Sequence, residues 1–600
     1  MIDSAGDTRP QAMALLARAY VGLASSTYDT SADLGAAQAL LGHADELADL
    51  AGVGSLRAAV RGQQALLLLR AGRIEPAASA FDRAVELIDV AEPRDQIRIL
   101  CNRGALALEL GRLGRARADL SRAATIAAAE GDRLTESMVR HNLGYTEFLA
   151  GNLPRALSDM SDAAALAGGS PTPVFLLDRA RVLREAGLTR DADAALAEAG
   201  ELFRADSRGQ DLGETELVRA ECALVEGHSD RARRLARSAV GRFQRRGNVL
   251  WRRRAELVLL RSERAHDATS PAGLRALADR IEALVRVCED EGRRDLAEAA
   301  RLLLADTALA AGTRDVDASS ARRLRGDDTF RTRLERREVR ARLALLDSDR
   351  AAARREVRRG LGELTDHRAR FDSVDLRTAS AVHGLRLAQL GVGLALESGR
   401  PGEVFESIER ARAVFTRVPG VRPSSDPASA ELLAELRRVE DESRALIGEP
   451  ASAAERSRLR ERVARLQRDI RARGWERDGG GAATLRPAGL GEARDAARGD
   501  GTALVSFIPH REQWFAVVVT ARGARVCALA AVVAVEEQLR RVRADLDALA
   551  MPALPPAMRR SVATSLREGL GRLDAQLLEP TEIGGVEAVR GHPLVVATGG

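Results

Sequence analysis

Lysine is missing from this chain: all 92 basic residues among its 600 are arginine. The two side chains differ too much in shape and hydration for function alone to replace every one, so the bias reads as codon usage in a GC-rich genome. Aromatic residues make up only 3%. That excludes a large β-sandwich packed on rings, and the core has to come from Ala, Leu and Val, as in close-packed helical arrays. The four cysteines, Cys101, Cys222, Cys288 and Cys527, stand far apart with no CxxC pair. This spacing excludes a zinc ribbon and a disulfide framework and fits a reducing compartment. No stretch approaches about 18 uninterrupted apolar residues and the N-terminus carries no basic-then-apolar signal, so a cytoplasmic location without membrane partners is expected. A net charge of +5 is small for this length and argues against nucleic-acid binding. Residues 322–359 are locally basic, but their 14 Arg interleave with 7 acidic residues at helical spacing, as on a solvated helix face.

What is present is a repeat. A glycine is followed by a small residue at +5, an apolar or small one at +9 and a small one at +12, six times: Gly72-Ala77-Phe81-Ala84, Gly111-Ala116-Leu120-Ala123, Gly151-Ala156-Met160-Ala163, Gly187-Ala192-Leu196-Ala199, Gly227-Ala232-Ala236-Ala239 and Gly399-Val404-Ile408-Ala411. The first five copies are spaced 36 to 40 residues apart, the mark of an array of supersecondary units. The glycine suits a positive-φ turn after a helix. The residues at +5, +9 and +12 then share one face of the next helix, where small side chains let it sit close to its partner.

Period, helix-turn-helix pattern and small-residue positions resemble tetratricopeptide repeats, with a few residues beyond the ordinary length. In the third copy, Ser137–Tyr145 places Leu143-Gly144 at the seventh and eighth places of the repeat, and Asn102-Arg103-Gly104 stands in the same frame of the second. Residues 33–50 read as the second helix of an earlier pair. Leu296–Leu309, Leu334–Leu346 and Ala379–Leu396 read as divergent helices leading to the last copy at 385–416. The expected fold is mainly α, a right-handed α-solenoid over residues 1–417 with first helices lining its concave face. Such a groove suits an extended peptide or partner helix, and its candidate contacts are Arg98, Cys101, Leu108, Met138, His141, Tyr145 and Phe148. His141 reads either as a buried helix histidine or as a ligand contact, and Arg98 and Arg140 could meet a peptide carboxylate.

A Pro-rich spacer over 418–430 follows, with Pro419, Pro423 and Pro427 stopping any helix. Residues 431–474 read as a helical hairpin divided at Gly448-Glu449-Pro450, and 475–501 as a Gly-rich joint through Gly479-Gly480-Gly481. From 502 to 600 the period becomes strand-like at Thr502–Ile508, Trp514–Thr520 and Ala524–Leu529. Helices are expected near 532–549 and 557–578, and Leu594–Ala597 is an apolar run suited to a strand of a parallel sheet.

This order resembles an actinobacterial-type tetratricopeptide–CHAT protein, in which a caspase-like peptidase domain follows the repeats. The resemblance rests on Glu397–Phe405 with Glu409–Ala413, the Pro-rich break, the hairpin, the joint, the Leu504–Leu529 meander and the Pro593–Thr598 strand. It implies a repeat array that senses a partner, and a cysteine peptidase whose catalytic His and Cys lie beyond residue 600, so that 502–600 would be the opening part of that domain and no catalytic residue can be assigned here. Cys527 with His510 or His592 is a poor substitute: Cys527 falls mid-strand, His510 in a surface turn, and His592 at the entry of its strand. A natural chain continuing some two hundred residues further is expected on this ground. The alternative is a non-enzymatic adaptor. A repeat-containing transcription regulator is disfavoured by the lack of a GxxxxGK[ST] loop and of a basic recognition helix. No cofactor or metal is expected, because no metal-ligand cluster or phosphate-binding loop is present.

Overall fold

The computed structural model describes residues 9–168, 172–266, 270–313, 321, 329–371, 373–415, 427–445, 453–475, 487–551, 554–582 and 594–597. They fall into two compact units: one from residues 1–339, 370–382 and 422–480, the other from 340–369, 383–421 and 481–600.

The first unit is a run of helix pairs: α1 (Arg9–Ser31) with α2 (Leu34–Leu50), α3 (Gly54–Arg70) with α4 (Ile74–Val85), α5 (Pro93–Glu109) with α6 (Leu113–Ala129) and α7 (Arg133–Leu149) with α8 (Leu153–Leu166). The run continues as α9 (Pro173–Glu185) with α10 (Thr189–Ala205), α11 (Gly209–Val225) with α12 (Ser229–Arg245), α13 (Val249–Arg264), and α14 (Pro271–Asp290) with α15 (Arg294–Ala310). All six repeat glycines sit at φ between +65° and +87°, where an L side chain is strained. Of the residues at +5, +9 and +12, every one in the first five copies is at most 2% exposed. The opposing helix makes room for them with a glycine or alanine seven residues before the repeat glycine. A Cβ on Gly104 would lie 3.0 Å from Leu120 Cγ, and one on Gly144 3.2 Å from the Ala156 carbonyl oxygen. Ala65, Ala180 and Ala220 hold the same place in the other three of the first five copies, all without exposure. Close backbone approach, rather than large side chains, sets the helix spacing.

The array returns on itself. Asn248 Nδ2 donates to the Arg70 carbonyl at 2.8 Å across a separation of 178 residues, about five repeat periods. Arg246 donates to the Tyr28 and Asp29 carbonyls at 3.2 Å, and Arg293 to the Gly72 carbonyl at 3.0 Å. These donors cap the carbonyl ends of α1 and α3, where a cation also meets the negative pole of the helix. Beneath them one apolar cluster joins Ala65, Ile74, Phe81 and Leu106 to Leu250, Leu257 and Ile281. Two later segments pack on the same unit: Val374–Ser380 and Ala453–Trp475 bring Leu376 and Trp475 into the core around Leu177, Leu188 and Phe203.

The second unit holds the helices Arg350–Ala369, Leu385–Ser398 and Pro401–Phe415, the short helix Leu490–Asp500, and a four-stranded sheet. Its strands are β1 (Ala503–His510), β2 (Gln513–Thr520), β3 (Gly523–Ala531) and β4 (Leu594–Ala597) in the order β3-β2-β1-β4. β1 pairs antiparallel with β2 and parallel with β4, as the apolar 594–597 run suggests. One sheet face carries Val517 and Val519 against Val404, Phe405 and Ile408; the other carries Val505, Ala516 and Val518. The helices Val532–Leu549 and Pro556–Leu577 follow β3.

Three expectations change. Ala379–Leu396 is not one helix: it passes from Val374–Ser380 through a tight 3₁₀ turn at Ala381–Gly384 before Leu385–Ser398 begins. A Cβ on Gly384 would lie 2.3 Å from Leu364 Cδ2, so the turn leaves no room for a side chain there. The joint expected at 475–501 contains the helix Leu490–Asp500, started by Gly489 N–H donating to Glu492 at 2.8 Å and ended by Gly501 at φ +61°. The last repeat copy, expected at the end of the array, packs its Val404-Ile408 face against the sheet instead of against another pair. The Pro-rich stretch 418–426, Gly448–Pro450 and Gly479–Gly481 lie outside the described residues.

Candidate functional site

The first helices of the array converge on a common inner face, and the repeat frame says what lies there. The residue six before the repeat glycine is Ala105, Tyr145, Arg181 or Glu221; the residue three before it is Leu108, Phe148, Arg184 or Leu224. The face that is aromatic in the third copy therefore becomes charged in the fourth and fifth. Arg181 donates through Nη1 to Asp178 at 2.8 Å and through Nη2 to Glu214 at 2.6 Å, linking α9 to α11. Arg184 makes an ion pair with Glu221 on α11. From the next turn Arg254 on α13 donates through Nη2 to Glu109 at 2.6 Å, 145 residues away. Trp251 lies under both cations, its ring 5.7 Å from the Arg181 guanidinium and 4.7 Å from that of Arg254. Beyond them Arg331 pairs with Glu335 at 3.1 Å, and Arg261 reaches the same carboxylate at 3.7 Å.

These groups are enclosed yet partly wet. Side-chain exposure is 14% for Glu214, 17% for Arg181, 25% for Arg254 and 33% for Glu109. Burial drives the electrostatics. It pushes the Tyr145 phenol up to about 12. It lifts the Glu214 carboxyl despite Arg181 beside it. At Asp178 burial pulls the same way, but contact with His141 and Arg181 outweighs it and holds the carboxyl below its ordinary value. Glu109 is likewise held low by Arg254 against its burial. Arg184 and Arg261 are pushed down, chiefly by burial, with the like charge of Arg331 adding to it.

Of the groove candidates read from sequence, the structure brings His141, Tyr145 and Phe148 to this network. His141 is 1% exposed, stacks on Phe175 with centroids 3.9 Å apart, and has Nε2 3.4 Å from Asp178. Tyr145 and Phe148 meet at 5.4 Å. Met138, on the same helix face, is 49% exposed. Arg98 is exposed and paired with Asp95 at 3.1 Å, and Arg140 with Glu136 at 2.6 Å, so both are engaged within their own helices. Cys101 is turned instead toward the apolar cluster of Leu100, Leu120 and Val139, while Leu108 is half-buried. That reading missed five groups: Arg181, Arg184 and Glu214 stand at the third copy's candidate places in its neighbours, whereas Glu109 and Asp178 fall outside that frame. Trp251 and Arg254 were missed too, because the contact that matters spans turns of the coil.

Cys527 and His510 of the second unit do not assemble a dyad. Cys527 is opposite Ala516 on β2, which is opposite Phe507 on β1; His510 lies three residues further along β1. Two strand spacings, about 10 Å, already separate the two before that offset is added. His510 closes strand β1 rather than sitting in a surface turn, and a Cβ on Gly393 would lie 2.8 Å from its ring. His592 lies outside the described residues. Burial pushes the thiols of Cys101 and Cys222 up to about 12, that of Cys288 up to about 11, and raises that of Cys527 against the pull of Arg525. At about pH 8 the native chain should therefore react with a chromogenic disulfide reagent far more slowly than the denatured chain, which titrates at once. A rapid thiol equivalent from the native chain would contradict this burial. Among the described residues no group of three or more His, Cys, Asp or Glu could hold a metal ion, and no helix is long and apolar enough to cross a membrane.

Paired helices, left-handed turn glycines and alanine-lined contacts define the architecture of the first unit. It is a tetratricopeptide-like helical solenoid. No protein-family model and no curated protein matches the chain. Among solved structures it is similar to a Rap protein complexed with competence and sporulation factor, at 10% identity and a TM-score of 0.31 over 77% of this chain and 99% of that one. A structure of Naa15/Naa10 bound to HypK-THB is matched at 13% identity and a TM-score of 0.17 over 76% of this chain and 79% of that one. A circular tandem repeat protein with novel repeat topology is matched at 17% identity and a TM-score of 0.13 over 77% and 97%.

Proposed function

We propose that the chain is a protein-interaction scaffold that takes an extended peptide or partner segment along the inner face of its first helices. The observation that carries this reading is the enclosed row of arginine and carboxylate side chains from Glu109 to Glu335, still in contact with water and stacked on Trp251. Burying so many charges stabilises a fold weakly, if at all, so their arrangement is better explained by recognition. Backbone amides and side-chain charges of an extended segment would find donors and acceptors at every repeat.

The finer reading adds a caspase-like cysteine peptidase governed by the array, and it is supported by the resemblance of the 397–413 and 502–598 segments to CHAT proteins. Its chemistry would be thiolate attack on a peptide carbonyl with His as general base. In that reading Cys527 is structural.

One preparation of the full chain tests both parts. On an array of immobilised peptides of mixed sequence it should retain a subset, and Arg181→Ala should erase that subset while Arg155→Ala, on the exposed side of α8, leaves it intact. Retention of nothing, or identical patterns from both variants, would remove the scaffold reading. Hydrolysis of fluorogenic peptides abolished by Cys527→Ala would overturn the structural role of that thiol.

A further inference from the structure

On the inner face Arg254 is held by one carboxylate, that of Glu109. We propose that Arg254 holds Glu109 and a carboxylate of an acidic peptide in exchange for one another, so that binding such a peptide releases the tie between α5 and α13. The proposal rests on the scaffold reading above and names the chemistry of the ligand.

Arg181 and Arg254 share the Trp251 ring but differ in the number of their carboxylate partners and in exposure. Arg181 is clamped by two carboxylates, Asp178 and Glu214, whose side chains are only 12% and 14% exposed. Arg254 has a single hydrogen-bonded carboxylate, held through Nη2 alone, and keeps 25% of its side chain in contact with water. Its guanidinium lies over Trp251 at 4.7 Å, a contact that does not depend on Glu109. A planar fork held through one donor favours exchange for a carboxylate that engages two.

Glu109 is the matching weak partner. It is the last residue of α5, where the negative pole of the helix opposes a carboxylate. Its side chain is 33% exposed, so it can return to water without stranding a buried charge. It comes from a residue 145 positions away in sequence, and so presents to Arg254 the same group that a glutamate of a bound peptide would present. A peptide carboxylate free of the helix pole competes with it for the same fork.

The test uses the full chain, fluorescein-labelled hexaglutamate and hexaglutamine, and fluorescence anisotropy at about 0.15 M salt, where loose surface attraction is screened. Hexaglutamate should bind and hexaglutamine should not. Glu109→Gln, which removes the competing charge and keeps the side-chain shape, should tighten hexaglutamate about tenfold, and Arg254→Gln should weaken it at least about tenfold. Unchanged affinity in Glu109→Gln overturns the exchange, and that variant carries the test even where Arg254→Gln folds poorly by circular dichroism. Equal binding of hexaglutamine overturns it as well. Retention of neutral or basic peptides without hexaglutamate would sink this proposal and spare the scaffold, whereas failure to bind any peptide would remove both.

Discussion

Gly187→Ala is expected to unfold the first unit far more readily than Gly151→Ala, although the two glycines hold the same place in neighbouring copies. Their backbones are nearly identical, with φ +85° and +87°, so each variant loses about 1 kcal/mol to a left-handed alanine. The surroundings differ. A Cβ on Gly151 meets nothing within 4 Å, while one on Gly187 would lie 2.2 Å from the Ala379 carbonyl oxygen and 2.5 Å from its carbon. That backbone belongs to Val374–Ser380, which seats the fully buried Leu376 in the core around Phe203. Relief requires moving the whole short helix, at a further cost of about 2–4 kcal/mol, in the range of severe overpacking and a lost buried leucine. Thermal unfolding of the two variants beside the parent reads the difference directly. Equal midpoints for both would show that no such contact exists.

Arg181→Met should be the most damaging single change on the inner face, and its effect should depend on pH. Removing one partner of a buried charge group costs about 3–5 kcal/mol, because Asp178 and Glu214 are left without their cation. The sign follows from the two carboxyls. Asp178 is held below its ordinary value in the folded parent, so its contribution is present at neutral pH and is lost as the pH falls through that lowered value. Glu214 is lifted by burial, so it costs stability at neutral pH and the cost disappears on protonation. Without Arg181 both carboxyls are raised. The deficit of the variant should thus be largest near pH 7 and narrow toward about pH 4–5, where unpaired carboxyls take up protons. A deficit that stays constant between those conditions would mean that the methionine acts through packing alone.

The architecture was legible because its signal is local and repeated. Gly72, Gly111, Gly151, Gly187, Gly227 and Gly399 each require a positive φ, and the +5, +9 and +12 residues each meet one partner helix a few turns away. The strands β1 to β3 were legible from the change of period, and β4 from its unbroken apolar run. The helix Leu490–Asp500 escaped notice because glycines flank it and only Ala493 and Ala497 are buried along it. The last repeat copy could be recognised but not placed, since Val404 and Ile408 would face a neighbouring pair or a sheet with equal ease. On the inner face, Tyr145 and Phe148 stood out by residue type on an aromatic-poor chain. Arg181 shares the place of Tyr145 in the next copy but not its rarity, and Arg254 has no such place, because arginine is everywhere in this sequence and only the folded coil distinguishes an enclosed guanidinium from a solvated one.

The bonds from Asn248, Arg246 and Arg293 back to the ends of α1 and α3 carry a consequence for how such a chain can evolve. Open arrays lengthen by duplicating a unit, since each new unit touches only its neighbours. Here a duplicated or deleted pair between residues 72 and 246 would shift Asn248 by a whole unit away from the Arg70 carbonyl and unseat Leu250 from its place beside Gly72. The number of units inside that ring is therefore held constant by geometry, and changes in copy number are expected only outside it.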